Sequence, residues 1–301
     1  MHHHIDPLCD SPSADRFDNI SVPVPEEEDS MTSNSTTDTS TSQALFGLPL
    51  DAVTMDEAVA RCRDALERRE PMTVGVVNAA KTVRLRKDVA LRESLLECDI
   101  LLADGQAVVW AGNLLGYPLP ERVAGIDLFT SLLATADTEH RSVYLLGAEQ
   151  SVLDALVDVL TTKYPGLRIA GAHHGYFDES EEESIARAIR ESRADMLFLG
   201  MPSPRKENFL RRWEDVLDIP IRHGVGGSFD VLAGITKRAP ERWQRAGMEW
   251  AYRLLQEPRR MWRRYLTTNT AFLILLARER FRTTPPYPRP EKLPTPRKHH
   301  G

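Results

Sequence analysis

Residues 101–127 read LLADGQAVVWAGNLLGYPLPERVAGID, and this stretch decides how the chain is organised. The apolar run Ile100, Leu101, Leu102, Ala103 reads as the end of a buried strand, and it stops at Asp104-Gly105. A helical pattern follows. In open α/β sheets ligands bind at the C-terminal edge of the strands, and a glycine there lets the backbone turn. Asp104 has two readings at this point. It is either a functional carboxylate at the sheet edge or the N-cap of the next helix, a position that Asp favours.

Outward from this stretch, short apolar runs alternate with amphipathic segments. Strands are expected at 72–77, 100–103, 142–146, 168–173, 196–199 and 220–224, with a short one in FGLPLDAV at 46–53. Helices are expected at 54–69, 82–96, 127–136, 152–164, 181–193 and 209–216. The first opens with a capping-box spacing from Thr54 to Glu57. This alternation predicts an α/β fold, a Rossmann-like, mostly parallel sheet flanked by helices, with right-handed crossovers. Asn78, Asp104, Gly147, Gly200 and Gly226 close successive strands and are expected along one edge. No G-x-G-x-x-G follows an early strand with an acid about 20 residues on, which speaks against a dinucleotide-dependent oxidoreductase. His173 and His174 are adjacent at a strand end, and alternation would point them to opposite faces and prevent a shared metal.

The chain has 301 residues, 42% hydrophobic and 27% charged, enough for a sizeable core. Its three cysteines, Cys9, Cys62 and Cys98, are widely spaced and suit a reducing compartment better than a disulfide framework. No secretory apolar segment opens the sequence and no apolar run reaches the ~18 residues of a spanning helix. The protein is therefore expected to be soluble or attached to a membrane surface.

Charge is unevenly placed. Residues 1–45 carry nine acids against Arg16, a net −8, whereas residues 237–301 carry sixteen Lys/Arg against five Glu, a net +11. Four segments follow: a disordered acidic arm at 1–43, an α/β core at 44–236, a basic helical appendage at 237–282, and a disordered Pro-rich tail at 283–301. His2-His3-His4 is read as incidental or as a tag remnant. The appendage interleaves Arg253, Arg260 and Arg263 with Trp250, Tyr252, Trp262 and Tyr265, and Pro258 is expected to bend that face. Aromatics among arginines favour a membrane interface, and AFLILLA at 271–277 has the character of a headgroup-level segment. An anionic membrane surface is the expected partner. Nucleic acid is not, because the acidic arm opposes it and no recognition motif is present.

Taken in order, the motifs form a series. Asn78 follows a strand; then come Ala103-Asp104-Gly105 and Glu121-Arg122-Val123-Ala124-Gly125-x-Asp127. Gly200-x-Pro202, Pro204-Arg205-Lys206-Glu207, Gly224-Val225-Gly226-Gly227-x-Phe229-Asp230 and Arg238-Ala239-Pro240 follow, and Glu249-Trp250-x-x-Arg253 and Glu257-Pro258-x-Arg260 complete it. This series resembles the bacterial WecG/TagA/CpsF glycosyltransferases over residues 46–266. The resemblance implies an inverting transfer from a UDP-sugar, of N-acetylmannosamine or uronic-acid type, to a polyprenyl-diphosphate-linked glycan acceptor in cell-surface polysaccharide biosynthesis. It implies an enzyme at the cytoplasmic face of the membrane that needs no metal, and it allows self-association through the core.

By position, the resemblance makes Asp104 the general base toward the acceptor hydroxyl, with Asn78 beside it. It places Asp230 on the uracil, Tyr176 against the nucleotide and Gly226 in the phosphate-approaching turn. Arg253, Arg260 and Arg263 would hold the diphosphates, where guanidinium forks suit the charge that builds on departing UDP. Two positions depart from the family pattern. Val76 stands where Thr is frequent, and Lys206 where Gln is frequent; a lysine there would favour a uronic-acid donor. The competing reading from these departures is a catalytically silent UDP-sugar-binding module recruited to the membrane.

Overall fold

The computed structural model describes residues 42–281, Ala246 excepted. The Pro-rich tail, and the acidic arm apart from Ser42 and Gln43, lie outside the described residues, as does the His2-His3-His4 reading. A hairpin of β1 (Ser42–Leu45) and β2 (Leu48–Asp51) comes first. Helix α1 (Met55–Arg68), β3 (Met72–Val77), α2 (Ala79–Arg84), α3 (Val89–Leu96), β4 (Ile100–Ala103), α4 (Gln106–Leu115) and α5 (Gly125–Thr138) form the first half. The second half runs through β5 (Ser142–Gly147), α6 (Gln150–Lys163), β6 (Arg168–His173), α7 (Glu182–Glu191), β7 (Met196–Gly200), α8 (Arg205–Arg212), α9 (Glu214–Leu217), β8 (Ile221–Gly224) and α10 (Ser228–Leu232). Three helices close the described chain: α11 (Glu241–Arg245), α12 (Glu249–Gln256) and α13 (Pro258–Arg280).

Six strands form one sheet in the order β4-β3-β8-β7-β5-β6, and each neighbouring pair is parallel. The expected α/β architecture is therefore the observed one. The two halves meet where β3 lies beside β8, the kind of reversal at which such sheets open a ligand crevice. Alternation divides the core. Val74, Val76, Ile100, Leu102, Val143 and Phe198 pack under α1, α5 and α6. Val77, Leu101 and Ala103 face the opposite layer with the hairpin, α3, α4 and α13, while Tyr144, Leu146, Leu197 and Leu199 meet α7, α8 and α9 on that same side.

The capping box at Thr54 and Glu57 is formed in full, which stabilises α1 by about 1 kcal/mol. The segment 82–96, read as one helix, is two. Asn78 caps α2 by accepting from Lys81 N at 3.1 Å, and Asp88 caps α3 by accepting from Leu91 N at 3.0 Å. Each short polar side chain offers the backbone a cap where a continuous helix would leave it buried in its own ladder. Pro258 does not bend a helix; it sits in the first turn of α13, where its missing N–H costs nothing. Within AFLILLA, Phe272 and Leu275 are buried. Phe272 packs against Phe46 at the hairpin tip with ring centroids 5.4 Å apart. That tip is a two-residue turn with φ of 55° at Phe46 and 80° at Gly47, the left-handed pair that a tight hairpin requires. Leu273 and Ile274 remain exposed.

Candidate active site

The floor is built by register. Val77 pairs with Ala103 across β3 and β4, so the next residues on each strand, Asn78 and Asp104, leave the sheet side by side. Gly105 makes that closeness feasible, since a Cβ there would stand 3.1 Å from the Cβ of Asn78. Helix α4 starts after Gly105 with no side-chain cap. Asp104 therefore does not cap the helix that follows it. Its Oδ1 accepts from the backbone N–H of Gly125 at 2.9 Å, the first residue of α5, and its Oδ2 accepts from Asn78 Nδ2 at 3.3 Å. The carboxylate caps a helix twenty-one residues away and is held from both sides.

Gly125 is held in turn. Its carbonyl faces His223 Nε2 at 3.1 Å, while Nδ1 of that ring faces Val74 O at 3.4 Å. His223 is fully buried, and burial pushes its pKa below the ordinary 6.5. A neutral ring donates from one nitrogen, and the shorter contact assigns that proton to Nε2.

Beside this floor lies a buried charge cluster. Glu207 Oε1 stands 2.9 Å from Lys81 Nζ and 2.5 Å from Lys206 Nζ, and Lys81 Nζ also donates to Val76 O at 2.7 Å. Burial and the neighbouring Lys81 push Lys206 down to about 8, against the pull of Glu207. Burial works to raise Glu207, but the two ammoniums outweigh it and hold the carboxyl down at about 2. One carboxylate serves two lysines, so the surplus positive charge falls on Lys206. Gly224 leaves room for its stem, since a Cβ there would meet Lys206 Cδ and Cε at 2.8 Å.

Over the floor opens a cleft of about 630 Å³. Its lining takes Asn78, Asp104 and Gly125 from the sheet edge, Arg122 and Arg238 from the segments beside it, and Trp250 and Arg253 from α12, with residues of α13. An ion network ties the core to the appendage. Arg238 grips Asp127 with two bonds, at 2.6 and 2.8 Å, and Arg122 Nη1 stands 3.1 Å from Glu249 Oε1. Glu249 thereby joins the appendage to the core at the cleft itself. Nothing in the sequence reading gave roles to Arg122, Asp127, Arg238 or Glu249, although each stood in a quoted motif. Glu207 likewise stood in a quoted motif without a role, and His223 and Lys81 carried no sequence signal.

Among the sequence-predicted residues, Asp104, Asn78 and Arg253 come together at the cleft. Gly226, with φ of 57°, and Asp230 adjoin it, next to the lining residues Gly227, Ser228 and Val231. Lys206 points into the buried cluster and does not line the cleft. Tyr176 is exposed on the loop after β6, at the far end of the sheet, with its hydroxyl 3.5 Å from Glu149 Oε1. Arg263 is exposed on α13 beside Trp262, 5.2 Å from that ring, and the Arg260 side chain is outside the described residues. His174 lies beyond the end of β6, so strand alternation does not separate it from His173; the two rings stand 4.7 Å apart.

The sequence pattern of the glycosyl transferase WecG/TagA/CpsF family matches residues 43–286 of this chain. The chain belongs to that family. Its members include an N-acetylglucosaminyldiphosphoundecaprenol N-acetyl-beta-D-mannosaminyltransferase of Bacillus spizizenii, 38% identical over 193 residues, which cover 64% of this chain and 74% of the relative. The enzyme of the same name from Bacillus subtilis is 32% identical over 75% of this chain and 87% of its own length. A third, from Staphylococcus aureus, is 32% identical over 73% of this chain and 86% of its own length. The family member described here is thus a glycosyltransferase of bacterial polysaccharide biosynthesis, and its resemblance to the family over residues 46–266 is borne out. Among the described residues, no helix is long and apolar enough to cross a membrane.

Proposed function

We propose that this glycosyltransferase moves an N-acetylmannosamine-type or uronic-acid sugar from a UDP-sugar to a hydroxyl of a polyprenyl-diphosphate-linked glycan, with inversion and without a metal. One observation carries the reading. Asp104, fixed by Gly125 N and Asn78 Nδ2, stands at the base of a cleft whose walls bring Arg122, Arg238 and Arg253 together. In this reading Asp104 takes the proton of the acceptor hydroxyl as its oxygen attacks the anomeric carbon, and UDP leaves from the opposite face. Each carboxylate oxygen has a lone pair beyond the one engaged, so orientation and proton acceptance are compatible. Asn78 holds the carboxylate and contacts the bound sugar.

The leaving diphosphate gains charge as the bond breaks, and guanidinium groups gathered on it stabilise it in place of water. Arg253, Arg260 and Arg263 supply that charge from the appendage. Gly226 lets the backbone approach the donor phosphates and Asp230 takes the uracil. Lys206 contributes its charge through the buried cluster beneath Gly224 and not by contact. The enzyme works on the cytoplasmic face of the membrane, held at an anionic surface by the exposed arginines and aromatics of α12 and α13.

UDP release from UDP-N-acetylmannosamine and from the matching uronic-acid donor, with a lipid-diphosphate N-acetylglucosamine acceptor, tests the reading. Asp104→Asn keeps an acceptor for Gly125 N and should fold, yet lose roughly 10²–10⁴ in kcat. Turnover by that variant at the wild-type rate removes Asp104 as base. UDP binding without turnover on either donor returns the protein to a silent module.

A further inference from the structure

The cleft does not end at Asp104; it continues outward along α4. Gln106, Trp110 and Leu114 recur at every fourth position and all line the cleft. They form one stripe leading away from the sheet edge, Leu114 lying about 12 Å along the axis from Gln106. From α13, Tyr265, Thr268 and Asn269 line the cleft first, and Phe272, Leu273 and Leu276 follow. Of the charged lining side chains, Arg122, Arg238 and Glu249 are linked to one another and to Asp127, in the first turn of α5, whose Gly125 holds Asp104. Trp110, Leu114 and Leu273 are 57%, 65% and 63% exposed. Exposed apolar side chains also occur off the cleft, at Leu255 and Trp262, so the two groups can be separated by experiment.

We propose that the α4–α13 end of the cleft binds the first isoprene units of the acceptor lipid, as a subsite separate from attachment to the membrane surface. This rests on the acceptor being a polyprenyl diphosphate. Continuity selects the occupant: a hydrocarbon bonded directly to a diphosphate held at the arginine end must leave along the apolar stripe. The floor behind Asp104 is closed by buried Gly125 and His223. A sugar or nucleotide placed here would set its hydroxyls against Trp110, Leu114 and Leu273 without partners.

Water-soluble acceptors settle the matter, namely N-acetylglucosaminyl diphosphate esterified with methyl, geranyl or farnesyl and assayed without vesicles. The farnesyl ester should have a KM roughly tenfold or more below that of the methyl ester, with kcat little changed. The double variant Trp110→Ala/Leu114→Ser should lose most of that gain while keeping the methyl-ester KM. Leu255→Ser, off the cleft, should keep the gain. Equal KM values for methyl and farnesyl, or a gain that survives the double variant, overturn the subsite while leaving the acceptor reading intact. So does a double variant that loses sedimentation with phosphatidylglycerol vesicles but retains the chain-length gain, for then these side chains serve the membrane. No transfer to any ester overturns the acceptor reading and the subsite together.

Discussion

The floor of the cleft and its appendage wall are built on opposite principles. Every polar group named at the floor is held by another: Asp104 by Gly125 and Asn78, Gly125 by His223, Glu207 by Lys81 and Lys206. On the wall, α12 buries none of its residues, and Arg253 and Arg263 stand exposed. A base has to meet one hydroxyl at one angle, so its carboxylate is fixed before substrate arrives. A diphosphate carries several equivalent oxygens, and long arginines can find them after it arrives. Substitutions at the floor should therefore cost stability as well as activity, and substitutions of the exposed arginines on the wall should cost affinity and turnover while leaving stability unchanged.

The largest effect on stability should come from Glu207→Gln. It leaves two buried ammoniums with no carboxylate between them, and breaking a buried pair costs about 3–5 kcal/mol. Urea denaturation should show the midpoint falling with the slope unchanged. Lys206→Gln leaves Glu207 its contact with Lys81 and should cost less; if both variants cost the same, the cluster does not act as a charge unit. The donor preference of Lys206→Gln reads its other role, since an unchanged preference removes Lys206 from the choice of sugar.

Arg253→Ala reverses the pattern. An exposed side chain contributes within about 0.5 kcal/mol to folding, so the melting temperature should hold. A charge-assisted bond to phosphate is worth about 1.5–3 kcal/mol, so KM should rise roughly tenfold to a hundredfold. Steady-state kinetics beside a thermal melt separates the two. A fall in melting temperature with KM unchanged would make Arg253 part of the floor's architecture and erase the contrast.

The same contrast explains what the sequence could and could not reveal. Alternating runs and helical faces are local patterns, so the strands, the sheet edge and the position of Asp104 were legible. Pairings that depend on distant segments were not. A cap for the helix that follows it is one of the two local readings of Asp104, yet it caps α5, because the partner N–H comes from Gly125. The single helix expected at 82–96 failed at Asp88, whose side chain caps a new helix, a competition that periodicity does not register. AFLILLA looked uniformly apolar and therefore lipid-facing. Only the hairpin tip, more than two hundred residues upstream, shows that Phe272 and Leu275 belong to the core. Removing the appendage after residue 239 would thus uncover the Phe46 face and weaken the core as well as the site. Arg253→Ala is the cleaner probe of the wall.

The smallest effect, and the one that ties the floor to pH, concerns His223. Burial keeps its pKa below 6.5, so as pH falls through 6.5 the unfolded chain takes up a proton that the native ring does not. The unfolded state then binds more protons, and stability falls as pH falls. Between pH 6.5 and 5.5 a ring that stays neutral in the native state throughout is worth at most about 1 kcal/mol. His223→Gln removes the titrating ring while offering an amide N–H toward Gly125 O, so its stability should lose that slope over the same interval. Denaturation curves at pH 7.5, 6.5 and 5.5 give the comparison: an identical slope in both proteins would mean the native ring titrates as it does in the unfolded chain, and a wild-type stability that rises as pH falls would mean the ring is already protonated in the native state. A charged ring could donate to Gly125 O and Val74 O at once, and the floor beneath Asp104 would then hold a second buried cation beside the lysine cluster. The pH series thus decides whether the carboxylate is oriented by a neutral relay or by a charged one.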